Sequence, residues 1–292
     1  MHPWAGDAGG AISRFAMAKR LAAPHAVTMR VRKTAAVLLL AALTVAWSIR
    51  CVGRRYLFPN HEVPFAAPPA SVERWEFRAS DGETVHALAV SGGRHGHVVV
   101  HFHNNRETMV ESLWLAQGLA ERGLDVVLAE YRGYGVSRPS AAPTEDGLYR
   151  DAEATLDELA RRGYGPERVV LCGTSLGSGV AAEMARRHRG AALVLVSPYT
   201  SIPDLVRARA FVSLPELLLP DRFDTASKAG AIRVPTLIIH GDADEIVPFS
   251  MGTRIAQLIV GSTIVRIKSG RHGDLFARRG KQLLDRISSF AG

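Results

Sequence analysis

A serine, a histidine and a carboxylate are the side chains in this sequence best arranged for chemistry, and each stands at a turn. Ser175 is the centre of Gly173-Thr-Ser-Leu-Gly177, which follows the apolar run 169–172 and leads into a helix-compatible segment beginning at Ser178. Strand, sharp turn and helix with a serine at the apex is the pattern of a nucleophile elbow. Such a turn places the serine in a sparsely populated backbone conformation. Gly173 and Gly177, two positions either side, are the small residues that let strand and helix approach closely.

A serine hydroxyl is a weak nucleophile until a histidine takes its proton, and that histidine needs a carboxylate to fix its tautomer and stabilise its charge. On a sheet of this kind the partners follow the serine in the order acid, then histidine, each after a later strand. The run His240-Gly-Asp-Ala-Asp-Glu-Ile-Val-Pro248 follows an apolar segment, and Gly270-Arg-His-Gly-Asp274 follows the next one. His272 is the one histidine beyond the acid loop. Three acids are available, Asp242, Asp244 and Glu245. Asp244 has the better reach from the strand end, whereas Asp242, beside Gly241, suits the turn itself. An oxyanion needs two convergent backbone N–H donors. Leu176, after the serine, supplies one at the positive end of its helix; Asn105, in His101-Phe-His-Asn-Asn-Arg106, is the choice for the other.

The elements that must position these residues alternate. Segments 72–78 and 85–91 flank Ser80-Asp81-Gly82 as a hairpin. Strands are expected at 97–103, 124–130, 192–197, 234–240 and 262–268. Helices are expected at 108–122, after Thr144 as N-cap with Leu148, Ala152, Leu156 and Leu159 on one face, after Ser175, and at 274–290. The pattern predicts an α/β fold with a mostly parallel sheet covered by helices on both faces, and such sheets carry their sites at the carboxyl ends of the strands. The turn 131–135 reads as shaping the rim of that site. His95, His97, His101 and His103 alternate, but no carboxylate or cysteine joins them at metal-ligand spacing, so no metal and no cofactor is expected. Cys172 reads as a small buried hydrophobe.

The net charge of +8 belongs to one end of the chain. Residues 1–55 hold nine Lys/Arg against the single acid Asp7, and the remainder balances at 27 basic and 27 acidic residues. A basic face for nucleic acid is therefore not expected. The order of segments is a disordered basic stretch at 1–33, a hydrophobic membrane or signal anchor at 34–52, a proline-containing linker at 53–71, and a folded domain at 72–292. The uncharged run 34–49 falls between a signal-peptide core and a full membrane span. An uncleaved signal anchor is the first reading, with a cleaved signal or a peripheral anchor as alternatives. Six basic residues precede it within 20 positions and three follow, which favours a cytoplasmic N-terminus and a domain on the extracytoplasmic side. Met29 also offers an ordinary start, from which the count is three against three.

Taken together, the apolar N-terminus with Tyr56-Leu-Phe-Pro, His103-Asn-Asn105, Glu130-Tyr-Arg-Gly-Tyr-Gly135 leading to Gly147-Leu-Tyr-Arg-Asp151, Gly173-Thr-Ser-Leu-Gly177, Ser197-Pro-Tyr-Thr-Ser201, His240-Gly-Asp-Ala-Asp244 and His272 resemble the α/β-hydrolase superfamily. Within it the chain is similar to membrane-anchored ABHD-type serine hydrolases. The resemblance covers about residues 56–292. It implies an α/β-hydrolase fold, a triad of Ser175, Asp244 and His272, and an oxyanion donor at Asn105, while the insertion at about 201–233, with Phe211, Leu214, Leu217, Leu218 and Leu219, reads either as self-packing or as a small cap over an acyl pocket. The family usually has glycine where this chain has Asn104. Asparagine tolerates positive φ best among the other residues, so the loop shape is expected to persist. The implied activity is hydrolysis of carboxylic esters or thioesters of small-molecule or lipid-like acyl substrates through an acyl-enzyme. The alternatives are an amide or peptide hydrolase with the same triad, and a catalytically silent membrane-tethered scaffold.

Overall fold

The computed structural model describes residues 23–59, 69–93, 96–137, 141–210 and 218–292. Chain contacts divide it into Met1–Val52 and Gly53–Gly292. The second unit holds eight strands: β1 (Val72–Arg78), β2 (Thr84–Val90), β3 (Val98–Phe102), β4 (Asp125–Ala129), β5 (Val169–Thr174), β6 (Ala192–Val196), β7 (Thr236–Gly241) and β8 (Thr263–Ile267). They form one sheet in the order β1-β2-β4-β3-β5-β6-β7-β8. Only β2 runs against its neighbours; from β4 through β8 all pairing is parallel.

Parallel strands bury both faces, which is why β3, β4, β5 and β7 are buried at every position. Alternate residues feed two cores. Val98, Val100, Phe102, Leu171 and Leu193 face one, against α3 (Glu145–Arg161), α4 (Leu176–Arg186) and α7 (Phe249–Leu258). Val99, Val126, Val170, Cys172 and Val194 face the other, against α2 (Leu113–Ala120) and α9 (Gly280–Ala291). Burial pushes the Cys172 thiol up to about 12, so it serves as packing. Between β6 and β7 lie α5 (Ile202–Ala210) and α6 (Thr225–Ala229). Phe211, Leu214 and Leu217 of the insertion, like His95, lie outside the described residues.

Local chemistry explains where elements depart from the sequence expectation. The helix expected from 108 begins only at Leu113, and the residues before it form turns. In them Glu111 accepts from the Thr108 N–H at 3.0 Å, the Ser112 hydroxyl donates to Glu107 at 2.9 Å, and the Ser112 N–H donates to the Thr108 carbonyl at 3.2 Å. The final helix expected over 274–290 is two, α8 (Asp274–Ala277) and α9, broken before Gly280, a weak helix former. Thr144 caps α3 as expected, accepting from the Gly147 N–H at 3.0 Å.

The helix α1 (Ala23–Leu57) is longer than the apolar run that suggested it. It takes in residues 23–33, expected as disordered, and reaches into the stretch expected as linker. Pro24 sits in its first turn, where proline is tolerated, and no glycine or proline follows until Gly53. An apolar helical core therefore propagates in both directions. Arg32–Leu57 is long and apolar enough to cross a membrane, a test that a signal sequence also passes. Residues 1–22 and 60–68 lie outside the described residues.

Candidate active site

The parallel strands all deliver their following loops to one edge of the sheet, and the five residues singled out by sequence lie there. Ser175 follows β5 directly, with φ 49° and ψ −115°. That is a strained conformation for a residue with a side chain, and the elbow tolerates it because the backbone is fixed on both sides. The Ser175 N–H donates to Val196 at 2.9 Å, and its carbonyl accepts from the Ser178 N–H at 2.9 Å and the Ser178 hydroxyl at 2.6 Å. A Cβ on Gly173 would collide with Gly177 and Ala181; one on Gly177 would collide with the carbonyls of Phe102 and His103. Both glycines are therefore steric requirements, the second because α4 starts against the end of β3.

Asp244 lies in the loop after β7 and His272 in the loop after β8. Their side chains meet, Nδ1 of His272 donating to Oδ2 of Asp244 at 2.8 Å. The other oxygen, Oδ1, accepts the N–H groups of Ile246 at 2.9 Å and Val247 at 2.7 Å. Burial raises the Asp244 pKa, but bonds from His240 and His272, the His272 charge and the Val247 N–H outweigh it and hold the carboxyl well below the usual range. The competing acids do other work. Asp242 accepts from the Ser269 N–H at 2.6 Å and from Arg266 at 2.7 Å, shaping the turn as its place beside Gly241 suggests. Glu245 accepts from the His272 N–H at 3.3 Å and from Arg271 at 3.4 Å. Among the described residues no hydrogen bond joins the Ser175 hydroxyl to the His272 ring.

Leu176 opens α4, so its N–H is one of the four that a helix leaves unpaired at its start. Asn105 follows β3, which pairs directly with β5 through Phe102 and Gly173. Its N–H finds no partner among the described residues. Its side chain donates to the Leu57 carbonyl at 3.0 Å, and its carbonyl accepts from the Tyr134 hydroxyl at 3.3 Å. Asn104 keeps the loop in a way other than the sequence suggested. Its φ is not positive. Instead Oδ1 accepts the Arg106 N–H at 2.8 Å and Nδ2 donates to Glu107 at 2.6 Å, an Asx turn that a glycine has no side chain to make.

Several supports were not legible in sequence. The turn 131–135, expected at the rim, is internal: Tyr131 and Tyr134 are buried, and the Tyr131 hydroxyl donates to the His103 carbonyl at 3.3 Å. Arg132 donates to Asp151 on α3 at 2.7 Å and to Asp81 at 2.6 Å, which explains why the two motifs accompany each other. Tyr199 donates to the Leu176 carbonyl at 3.2 Å, steadying the first turn of α4. Within this unit Arg54 pairs with Asp221 at 2.7 Å, and Phe58 meets Phe223 edge-on at 6.3 Å. These contacts join residues up to 167 positions apart, and no local pattern signals them. His101 and His103 are buried, bonded to Thr174 and Glu130 respectively.

Comparison with known proteins agrees with this architecture. The family described as "Serine aminopeptidase, S33" matches residues 93–226. An uncharacterized protein of Mycobacterium tuberculosis is 33% identical over 219 residues, covering 74% of this chain and 73% of that protein. The human alpha/beta hydrolase domain-containing protein 17B is 32% identical over 190 residues, 62% of each chain. Among solved structures, the Pyrococcus furiosus esterase Pf2001 superposes with a TM-score of 0.64 at 17% identity, covering 78% of this chain and 96% of that one. With its strand order, its elbow and these relatives, the chain is a hydrolase belonging to the α/β-hydrolase superfamily.

Proposed function

We propose that the protein is a membrane-anchored serine hydrolase that cleaves carboxylic esters or thioesters of lipid-like acyl groups through an acyl-enzyme. The observation that carries this reading is the His272–Asp244 hydrogen bond at 2.8 Å, on the sheet edge that also presents the strained Ser175. In this mechanism His272 takes the Ser175 proton as the hydroxyl oxygen attacks the acyl carbon. Asp244 holds Nδ1 protonated, leaving Nε2 to accept that proton and then pass it to the departing alcohol or thiol. The N–H groups of Asn105 and Leu176 receive the developing oxyanion. A water then repeats the sequence against the acyl-enzyme and frees the acid. The exposed apolar surface of α1, including Leu38, Leu40 and Trp47, supports the membrane anchor, with the hydrolase domain on the extracytoplasmic side.

The full chain in detergent should hydrolyse p-nitrophenyl esters and react with a fluorophosphonate, and Ser175→Ala should do neither. A folded wild type that resists both reagents, or a Ser175→Ala variant labelled equally, would remove the proposal. The family match described as a serine aminopeptidase favours a second reading, an amide or peptide hydrolase with the same residues. The pocket, not the triad, selects the leaving group. Competition between acyl esters, thioesters and aminoacyl amides for the fluorophosphonate label separates the two.

A further inference from the structure

We propose that His103 and Glu130 form a buried pair that sets the oxyanion donor: the His103 ring holds the Asn104 carbonyl, and the rigid peptide thereby turns the Asn105 N–H toward the nucleophile. The inference rests on Ser175 being that nucleophile. His103 Nε2 lies 2.9 Å from Oε1 of Glu130, and Nδ1 lies 2.7 Å from the Asn104 carbonyl oxygen. Both partners accept. A neutral imidazole has only one N–H to donate, so with both bonds made the ring carries two protons and Glu130 supplies the counter-charge. Both side chains are buried, which confines the ring to this orientation.

The carbonyl of Asn104 and the N–H of Asn105 belong to one trans peptide unit and point in opposite directions. Strand order then decides where each goes. β3 lies between β4 and β5; Glu130 follows β4, and Ser175 follows β5. A carbonyl drawn to the Glu130 side sends its paired N–H to the Ser175 side. The other bonds at that peptide, those of the Asn104 side chain to Arg106 and Glu107 and of Asn105 to Leu57 and from Tyr134, leave the His103 ring as the one strap on the Asn104 carbonyl itself among the described residues.

The charged and titratable groups around the ring are consistent with the cation. Glu130 faces it from the end of β4 and Glu107 from its own loop, with the rings of Tyr131 and Tyr134 at 4.3 and 5.3 Å and His101 on β3. Burial works against the His103 charge, but the bond and charge of Glu130, the Asn104 carbonyl and Glu107 outweigh it and raise the pKa. None of these groups touches the reacting atoms, so His103 and Glu130 are positioning residues.

The test uses two variants of the full chain in detergent, because an asparagine amide imitates Nδ1 of histidine and a glutamine amide imitates Nε2. His103→Gln keeps the Glu130 partner but releases the Asn104 carbonyl. It should lower kcat for a p-nitrophenyl ester by about 100-fold, the scale of one lost oxyanion donor, with KM within about threefold. His103→Asn keeps the strap and should retain kcat within about tenfold of wild type. Independently of any variant, 15N NMR of the wild-type ring should show both nitrogens protonated at about pH 8, well above the ordinary histidine value. An active wild type with His103→Gln within about threefold in kcat, equal loss in both variants, or a singly protonated ring would each overturn the positioning role. A wild type without ester hydrolysis or fluorophosphonate labelling would instead overturn the serine-hydrolase reading, while the NMR result would still report on the pair.

Discussion

Replacing Asp244 by asparagine tests the proposed mechanism at its narrowest point. Oδ1 of Asp244 accepts two backbone N–H groups, from Ile246 and Val247. An asparagine must keep its oxygen there, because its amide would oppose those donors. The NH2 group is then forced to the position of Oδ2, 2.8 Å from Nδ1 of His272. It can only donate, so Nδ1 must accept and the ring proton moves to Nε2, the atom required to take the serine proton. The base is thereby held in the wrong tautomer, and kcat should fall by about 10⁴-fold, as an inverted tautomer does in serine hydrolases generally. Stability should suffer far less. One charge-assisted hydrogen bond is replaced by a neutral one, a loss of about 1–2 kcal/mol, or a few degrees in Tm for a domain of this size. The assay is steady-state ester hydrolysis beside thermal unfolding, with Asp242→Asn and Glu245→Gln as companions expected within about threefold of wild type. An Asp244→Asn enzyme within about tenfold of wild type, or a larger loss on Asp242→Asn, would refute the assignment of the acid.

Acid stability should report the same carboxyl. Asp244 titrates below its unfolded value of about 3.9, so its stabilisation is complete above that pH and disappears as pH falls through the folded value; Asp244→Asn should flatten the acid limb of a Tm–pH curve. Gly177→Ala drives a methyl into the backbone carbonyls of Phe102 and His103. It should cost about 1–3 kcal/mol and depress kcat, measured by denaturant unfolding and ester hydrolysis; an active, equally stable variant would contradict the close approach. Arg132→Met leaves Asp151, 1% exposed, without its cation. A destabilisation of about 3–5 kcal/mol is expected in urea unfolding, with Asp151→Asn in the same background restoring part of it.

Much of the site was readable because its parts are local. Gly173-Thr-Ser-Leu-Gly177 encodes its own geometry: an apolar strand, a turn that strains Ser175, and a helix that begins with unpaired N–H groups. The order of Ser175, Asp244 and His272 along the chain, each after an apolar segment, was enough to single out two loops whose side chains meet. Asp242 and Asp244 were ranked by reach; Asp244 bonds His272, and Asp242 bonds Ser269 and Arg266. What misled was equally physical. Residues 108–112 look helical by period, yet they form turns and the helix begins at Leu113. Asn104 looked like a glycine substitute for positive φ, but its side chain builds the turn instead. The helix α7, beside His240, was not anticipated at all.

The sequence by itself determined the alternation of strands and helices, the elbow and the loops that carry Asp244 and His272. Period, turn residues and capping act between neighbours along the chain, so these features follow from short stretches. Only the tertiary structure decided that β3 lies beside β5, so that the loops carrying Asn105 and Ser175 leave neighbouring strands. It also decided that Glu130 reaches His103, that Arg132 ties Asp81 to Asp151, and that the end of α1 touches Asn105 through Leu57. Each of those contacts depends on strand order and on side chains brought together from distant positions. That order is fixed by which faces bury against which, a condition the whole chain satisfies at once and no single segment records.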